Sequence, residues 1–182
     1  RNAFGKAVYC LLFDWVVAKV NDSIRGAASD DMAFIGLLDV FGFEVFQTNS
    51  FEQLCINFAN EKLQQLFINH VLSSVQNEYA SEGIASEPVP FTNNTAVISL
   101  LERRGGIFSS LDEELRLPNG SDETLGTKLI STLEDDKAFL APRFGSDTFT
   151  VIHFAGQVTY EVNGFLHKNT DSTPDEINNL LK

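Results

Sequence analysis

The sequence predicts a mainly α-helical chain with a few strands. Three patterns lead there. Apolar residues recur at helical spacing over 2–24 and again over 50–82. Between those stretches, 33–41 is an almost continuous apolar run, as in a strand buried on both faces. Further on, Phe149, Val151 and His153, then Val158, Tyr160 and Val162, alternate with polar or smaller residues, so 149–162 reads as a β-hairpin with Gly156-Gln157 between its arms.

Each element has its own local signals. Phe4, Val8, Leu11, Leu12 and Trp15 mark one face of the first helix, which Gly26 is placed to stop. Asn49 or Ser50 caps the second, with Glu52 or Gln53 set to answer the cap. Its apolar face begins with Phe51, Leu54, Cys55 and Phe58 and continues, with a shift of phase, through Leu63, Leu66, Phe67 and Val71. At 1.5 Å per residue such a helix reaches roughly 50 Å, enough to connect distant sites. Pro88 and Pro90 break the pattern. Residues 94–116 then read as a helix–loop–helix whose tip is Arg103 to Gly106, with exposed apolar neighbours Ile107 and Phe108. Ser121 caps a further helix. Thr173-Pro174-Asp175-Glu176 opens a last one over 174–182.

Composition narrows the function classes. The chain has 182 residues, 43% hydrophobic, with 16 Phe, so it can bury one sizeable, Phe-rich core. Its formal net charge of −12 and the lack of a basic stripe speak against nucleic-acid binding. Cys10 and Cys55 sit inside helical apolar patterns, with no pairing or metal-ligand spacing. His70, His153 and His167 also lack ligand spacing and read as ordinary core or surface residues. No apolar run is long enough for a transmembrane segment. The chain starts at Arg1, already in a helical pattern, and is expected to be an excerpt of a longer protein.

The chemistry concentrates at Asp39-Val40-Phe41-Gly42-Phe43-Glu44, where the apolar run ends. A carboxylate there can hold a magnesium-bound water near phosphates, and a glycine amide can approach a phosphate oxygen closely. Read alone, Asp39 also suits a turn cap and Gly42 an ordinary turn.

Taken together, these blocks resemble the myosin motor domain. The run from Asp39 to Glu44 is similar to its switch II motif. Asn49-Ser50-Phe51-Glu52-Gln53-Leu54-Cys55-Ile56-Asn57-Phe58 and Asn60-Glu61-Lys62-Leu63-Gln64-Gln65-Leu66-Phe67 resemble its relay helix almost letter for letter. Leu111-Asp112-Glu113-Glu114, with Pro118 and Asp122, is similar to its actin-facing helix–loop–helix. His153-Phe154-Ala155-Gly156-Gln157-Val158 with Leu166, Lys168-Asn169 and Asp171 resembles the block before its basic surface loop, and Leu12-Phe13-Asp14-Trp15 the helix before switch II.

The resemblance implies a single partial domain over 1–182, an α+β excerpt of an α/β P-loop NTPase-type motor from the lower half of the actin-binding cleft. It implies that Asp39 serves magnesium through water, that the Gly42 amide contacts the γ-phosphate of ATP, and that Glu44 pairs with an Arg of switch I. The catalytic set is then Asp39, Gly42 and Glu44, with ATP and Mg²⁺ as cofactors of the full motor. Phe51, Phe58 and Phe67 carry the relay. Arg103, Arg104, Gly105, Gly106, Ile107 and Phe108 face filamentous actin. The other partners are the P-loop, switch I and converter of the rest of the motor, and the setting is the cytoplasmic cytoskeleton. Within the chain, Gly5-Lys6 is followed by Ala7, so no Gly-x-x-x-x-Gly-Lys-[Ser/Thr] run occurs, and the excerpt alone is expected to be an inactive ATPase. The family pattern departs at Ser86, where Trp is frequent, at Asn93 and Ser99, where Asp is frequent, and at Asn2. The alternative is a non-motor actin-binding or scaffold module of myosin origin. A GTPase-like switch is disfavoured, because such proteins lack the relay block.

Overall fold

The computed structural model describes residues 2–25, 33, 35–85, 91 and 93–170. Where one partial domain is expected, the chain divides into two compact units, Arg1–Asp39 with Thr170–Lys182, and Val40–Asn169. The expected stop at Gly26, the 86–90 turn with Ser86, and the helix at 174–182 lie outside the described residues.

The first unit contains helix α1 (Asn2–Ile24). An amphipathic helix is expected there, but its apolar side chains surround the axis. Tyr9, Phe13, Val16 and Val20 fill the flanks left by Phe4, Val8, Leu12 and Trp15, and all are exposed. Such a helix is of the kind that proteins normally enclose on every side. Residues 35–39 have no regular structure, and Ile35 and Leu37 are almost fully exposed. The strand expected over 33–41 is therefore not formed among the described residues. A strand exists by pairing its backbone groups, and no described strand pairs with this run.

The second unit is mainly helical around a small antiparallel sheet, in agreement with the predicted class. Its long rod is α2 (Phe51–Phe67), a π-helical stretch (Ile68–Ser73) and α3 (Ser74–Ser81). The Ser50 N–H donates to Gln53 Oε1 (3.0 Å) at the start of α2. In the π stretch the Ser74 N–H reaches back to Asn69 O, and the Ser74 hydroxyl donates to the same carbonyl at 3.1 Å. After it come α4 (Thr95–Glu102), α5 (Ile107–Leu115), α6 (Asp122–Leu133), strands β1 (Phe139–Leu140), β2 (Thr148–His153) and β3 (Gly156–Glu161), and the short α7 (Phe165–Asn169). The sheet order is β1-β2-β3, with Phe149 opposite Tyr160, Val151 opposite Val158 and His153 opposite Gly156. The β2–β3 turn is Phe154-Ala155, so Gly156 and Gln157, expected in the turn, begin β3.

The core lies between the inner face of this sheet and the helices. Leu54, Leu100, Leu111, Leu125 and Leu129 meet Phe139, Phe149, Val158 and Phe165. Phe149 stacks on Phe139 with ring centres 5.9 Å apart and meets Phe165 edge-on at 6.0 Å. Phe51 extends the cluster by packing edge-on against Phe165 at 5.6 Å.

Candidate functional site

Asp39 is the last residue of the first unit and is exposed. Gly42 and Glu44 belong to the second. Gly42 is exposed, its φ lies outside the left-handed region, and a Cβ added there meets no atom within 4 Å. Nothing in this fold requires a glycine at that place.

The segment around Gly42, from Phe41 to Phe46, is held without a strand partner among the described residues. Asparagine side chains take up its backbone groups instead. Asn60 Nδ2 donates to the Phe41 carbonyl (2.9 Å). Asn57 Oδ1 accepts the Glu44 N–H, and Asn57 Nδ2 donates to the Glu44 carbonyl, both at 2.8 Å. Asn49 does the same for Phe46, accepting its N–H at 2.7 Å and donating to its carbonyl at 3.0 Å. An amide side chain offers the same donor and acceptor as a peptide group, so it can substitute for a neighbouring strand. Asn49 also donates to Thr159 O (3.0 Å), and its own carbonyl accepts the Glu161 N–H (2.8 Å), tying the segment to β3. Phe43 lies edge-on to His153 and Phe154, at 5.3 and 5.8 Å. The Glu44 carboxylate is half-buried, with Gln53 Nε2 at 3.5 Å.

Behind Asn57 lies a buried polar chain. Asn57 Nδ2 donates to the Tyr160 hydroxyl (2.8 Å), which lies 2.8 Å from His153 Nε2. His153 Nδ1 lies 3.0 Å from Glu61 Oε1, and both side chains are fully buried. Glu61 further accepts the Phe154 N–H (2.9 Å) and the Asn94 side-chain amide. Burial pushes the Tyr160 hydroxyl pKa upward, against the Asn57 donor and together with the Glu61 charge. Burial likewise raises the Cys55 thiol, assisted by the charge of Glu52.

The remaining site candidates are dispersed. Phe51 and Phe58 are half-buried, and Phe58 packs edge-on against Phe108 at 5.1 Å. Phe67 is half-exposed, with Leu66 and Val71 beside it, so the apolar stripe leaves the core there. At about 100° per residue, Phe67 falls roughly 140° around the helix from Leu54. The inner face carries Leu54, Asn57, Glu61 and then Ile68. At the α4–α5 turn, Arg103 and Arg104 are exposed, and Arg103 pairs with Asp136 at 3.1 Å. Gly105 takes the left-handed conformation, φ +75°. Gly106 is closed in, since a Cβ would lie 2.4 Å from Leu100 O. The apolar neighbours expected to be exposed are not: Ile107 is buried in the core and Phe108 faces Phe58. Both begin α5, whose inner face must cover the core. His70 and His167 are exposed.

The Myosin head (motor domain) family model matches residues 1–182. The chain belongs to the myosin motor-domain family. It is 47% identical over 182 residues to Myosin-13 of Arabidopsis thaliana and 46% identical over 187 residues to Myosin-2 of Saccharomyces cerevisiae, covered in full in both cases. It is 46% identical over 179 residues to Myosin-4 of the same yeast, with 94% of the chain covered. It spans 12% of the length of each of these relatives.

Within this myosin segment, periodicity alone misses the inward turn of Asn57 and Glu61, because a polar residue on an amphipathic helix is read as facing water. Tyr160 falls on the inner face of β3 as its alternation predicts, and only the partners of its hydroxyl are hidden. His153, read as an ordinary histidine, is a core histidine with both ring nitrogens engaged. The available signal was Asn57 and Glu61 standing in helical register with Leu54.

Proposed function

We propose that this chain supplies an ATP-driven, actin-based myosin motor with its phosphate-sensing segment, the helix that carries the signal away, and one actin-facing turn. The observation that carries the reading is the paired bond of the Glu44 backbone to Asn57 of α2. A displacement at Gly42 is two residues from a helix side chain that grips both peptide groups of Glu44. The rod from Phe51 to Ser81 is long enough to deliver it elsewhere.

In this reading the open backbone at Gly42 admits a γ-phosphate oxygen, for which the unobstructed Cβ position leaves room. Asp39 contributes one exposed carboxylate toward a magnesium-bound water, a fit for an auxiliary contact and not for a complete metal site. ATP with its magnesium supplies the phosphoryl chemistry when bound in the whole motor. Glu44 presents a half-buried carboxylate to an Arg beyond this chain. The P-loop, switch I and converter of the motor are its intramolecular partners, and the 182-residue chain alone is inactive as an ATPase. The actin-facing surface is the solvent side of the α4–α5 turn, chiefly Arg104, with Ile107 and Phe108 supporting it from beneath. The setting is the cytoplasmic actin cytoskeleton.

Gly42→Ala in the full-length motor tests the central role. It should abolish hydrolysis in a single-turnover assay while ATP binding is partly retained. Normal hydrolysis by that variant would remove Gly42 from the phosphate-sensing role.

A further inference from the structure

The chain Asn57–Tyr160–His153–Glu61 has a direction imposed from one end. Glu44 needs an acceptor for its N–H and a donor for its carbonyl, so Asn57 must present Oδ1 to the first and Nδ2 to the second. The Asn57 amide cannot be turned over without opposing two acceptors and two donors. Its second Nδ2 hydrogen goes to the Tyr160 oxygen. That hydroxyl, accepting from Asn57, has its own hydrogen left for His153 Nε2. The ring then carries its hydrogen on Nδ1 and donates it to Glu61 Oε1. Every step is satisfied in this sense. With the hydrogen on Nε2 instead, the Tyr160 hydroxyl would lose its acceptor and a bare Nδ1 would face the Glu61 carboxylate.

Four polar side chains in the middle of an apolar core are weak evidence for stability, since apolar residues of similar size would serve as well. A fully satisfied network instead specifies one arrangement. We propose that Asn57 is a positioning residue for the Glu44 segment, its amide braced from behind by the Tyr160–His153–Glu61 chain. Asn94, at the N-cap of α4, donates to both the Glu61 carboxylate and its carbonyl, so the same chain joins the start of the α4–α5 pair to the Glu44 backbone. The functional meaning of this link rests on reading residues 39–44 as the phosphate sensor. The link itself does not.

Two measurements on the 182-residue chain test it. Nitrogen-15 NMR of the unmodified protein should show His153 with its hydrogen on Nδ1, and a hydrogen on Nε2 would overturn the proposal. Tyr160→Phe keeps the ring and removes only the hydroxyl. It should speed exchange of the Glu44 amide roughly 5–10-fold, the loss expected for one unsupported hydrogen bond. The Ile152 amide, bonded to Ala138 O at 2.9 Å, should be unaffected. An unchanged Glu44 amide, or equal acceleration at both amides, would reduce the chain to general core support. Failure of Gly42→Ala to block hydrolysis would defeat the sensor reading and leave these two results standing.

Discussion

The two units of this chain treat the same kind of side chain in opposite ways. Val40–Asn169 has a core that encloses large apolar residues, with Leu54, Leu129 and Phe165 fully buried. In α1, Trp15 is 58% exposed, Tyr9 66% and Ile24 74%, although the helix is regular from Asn2 to Ile24. Helix formation is thus separable from core formation: local propensity sets the first, and neighbours on the other side of the apolar surface set the second. The comparison is broken most directly by truncating one residue of each kind. Phe149→Ala removes a ring in contact with Phe139, Tyr160 and Phe165 and should cost about 3–5 kcal/mol in urea unfolding. Trp15→Ala should change stability by no more than about 0.5 kcal/mol, because the exposed ring loses little on truncation. Equal costs would mean that α1 is as closely packed as the sheet.

The same contrast appears between two glycines of the second unit. Gly106 is closed in by the carbonyls of Leu100 and Arg103, whereas Gly42 has open space where a Cβ would stand. Gly106→Ala should therefore destabilise by about 1–3 kcal/mol, the cost of forcing atoms into a packed place. Gly42→Ala should be neutral to folding or stabilise it by about 0.4–1 kcal/mol through the unfolded chain. A Gly42→Ala variant that folds well and no longer hydrolyses ATP in the full motor would separate the two uses of glycine. A large folding defect at Gly42 would erase the distinction.

These two regions also differ in how much the sequence discloses. Phe149, Val151 and His153 alternate along β2, and Ser121 opens α6 with the Thr124 N–H donating to its hydroxyl, as the cap pattern requires. Such short-range signals survive because the groups that satisfy them lie a few residues away. The segment at 33–41 is different. Its apolar run reads as a buried strand, but the described residues 35–41 have no regular structure, and just beyond them Glu44 and Phe46 find side-chain amides in place of a ladder. The inward turn of Asn57 and Glu61 is equally hidden, since each is paid for by partners far along the chain, Tyr160 and His153. The shift of phase in the apolar stripe was legible, and it corresponds to Leu66 and Phe67 leaving the core just before the π-helical stretch at Ile68–Ser73. Such stretches recur at functional sites, but nothing in residues 68–73 alone announces one.

The smallest expected effect sharpens the comparison at the start of the α2 rod. Lys168 of α7 donates to Ser50 Oγ at 2.8 Å and to Glu52 Oε2 at 2.6 Å, joining the cap of α2 to the other end of the unit. The Lys168 hydrogen bond holds the Glu52 carboxyl below the ordinary glutamate range, partly opposed by burial. A folded-state pKa lowered in this way contributes stability above the ordinary glutamate pKa and loses it as pH falls through the folded value. The Lys168 side chain is 35% exposed and that of Glu52 54%, so the pair is screened and Lys168→Met should cost only about 0.2–1 kcal/mol at neutral pH. The difference between Lys168→Met and the unmodified chain, followed by urea midpoint, should shrink as pH drops through the glutamate range. A difference that stays constant into acid would assign the effect to the Ser50 bond instead, because a hydroxyl acceptor does not titrate there and the lysine remains charged.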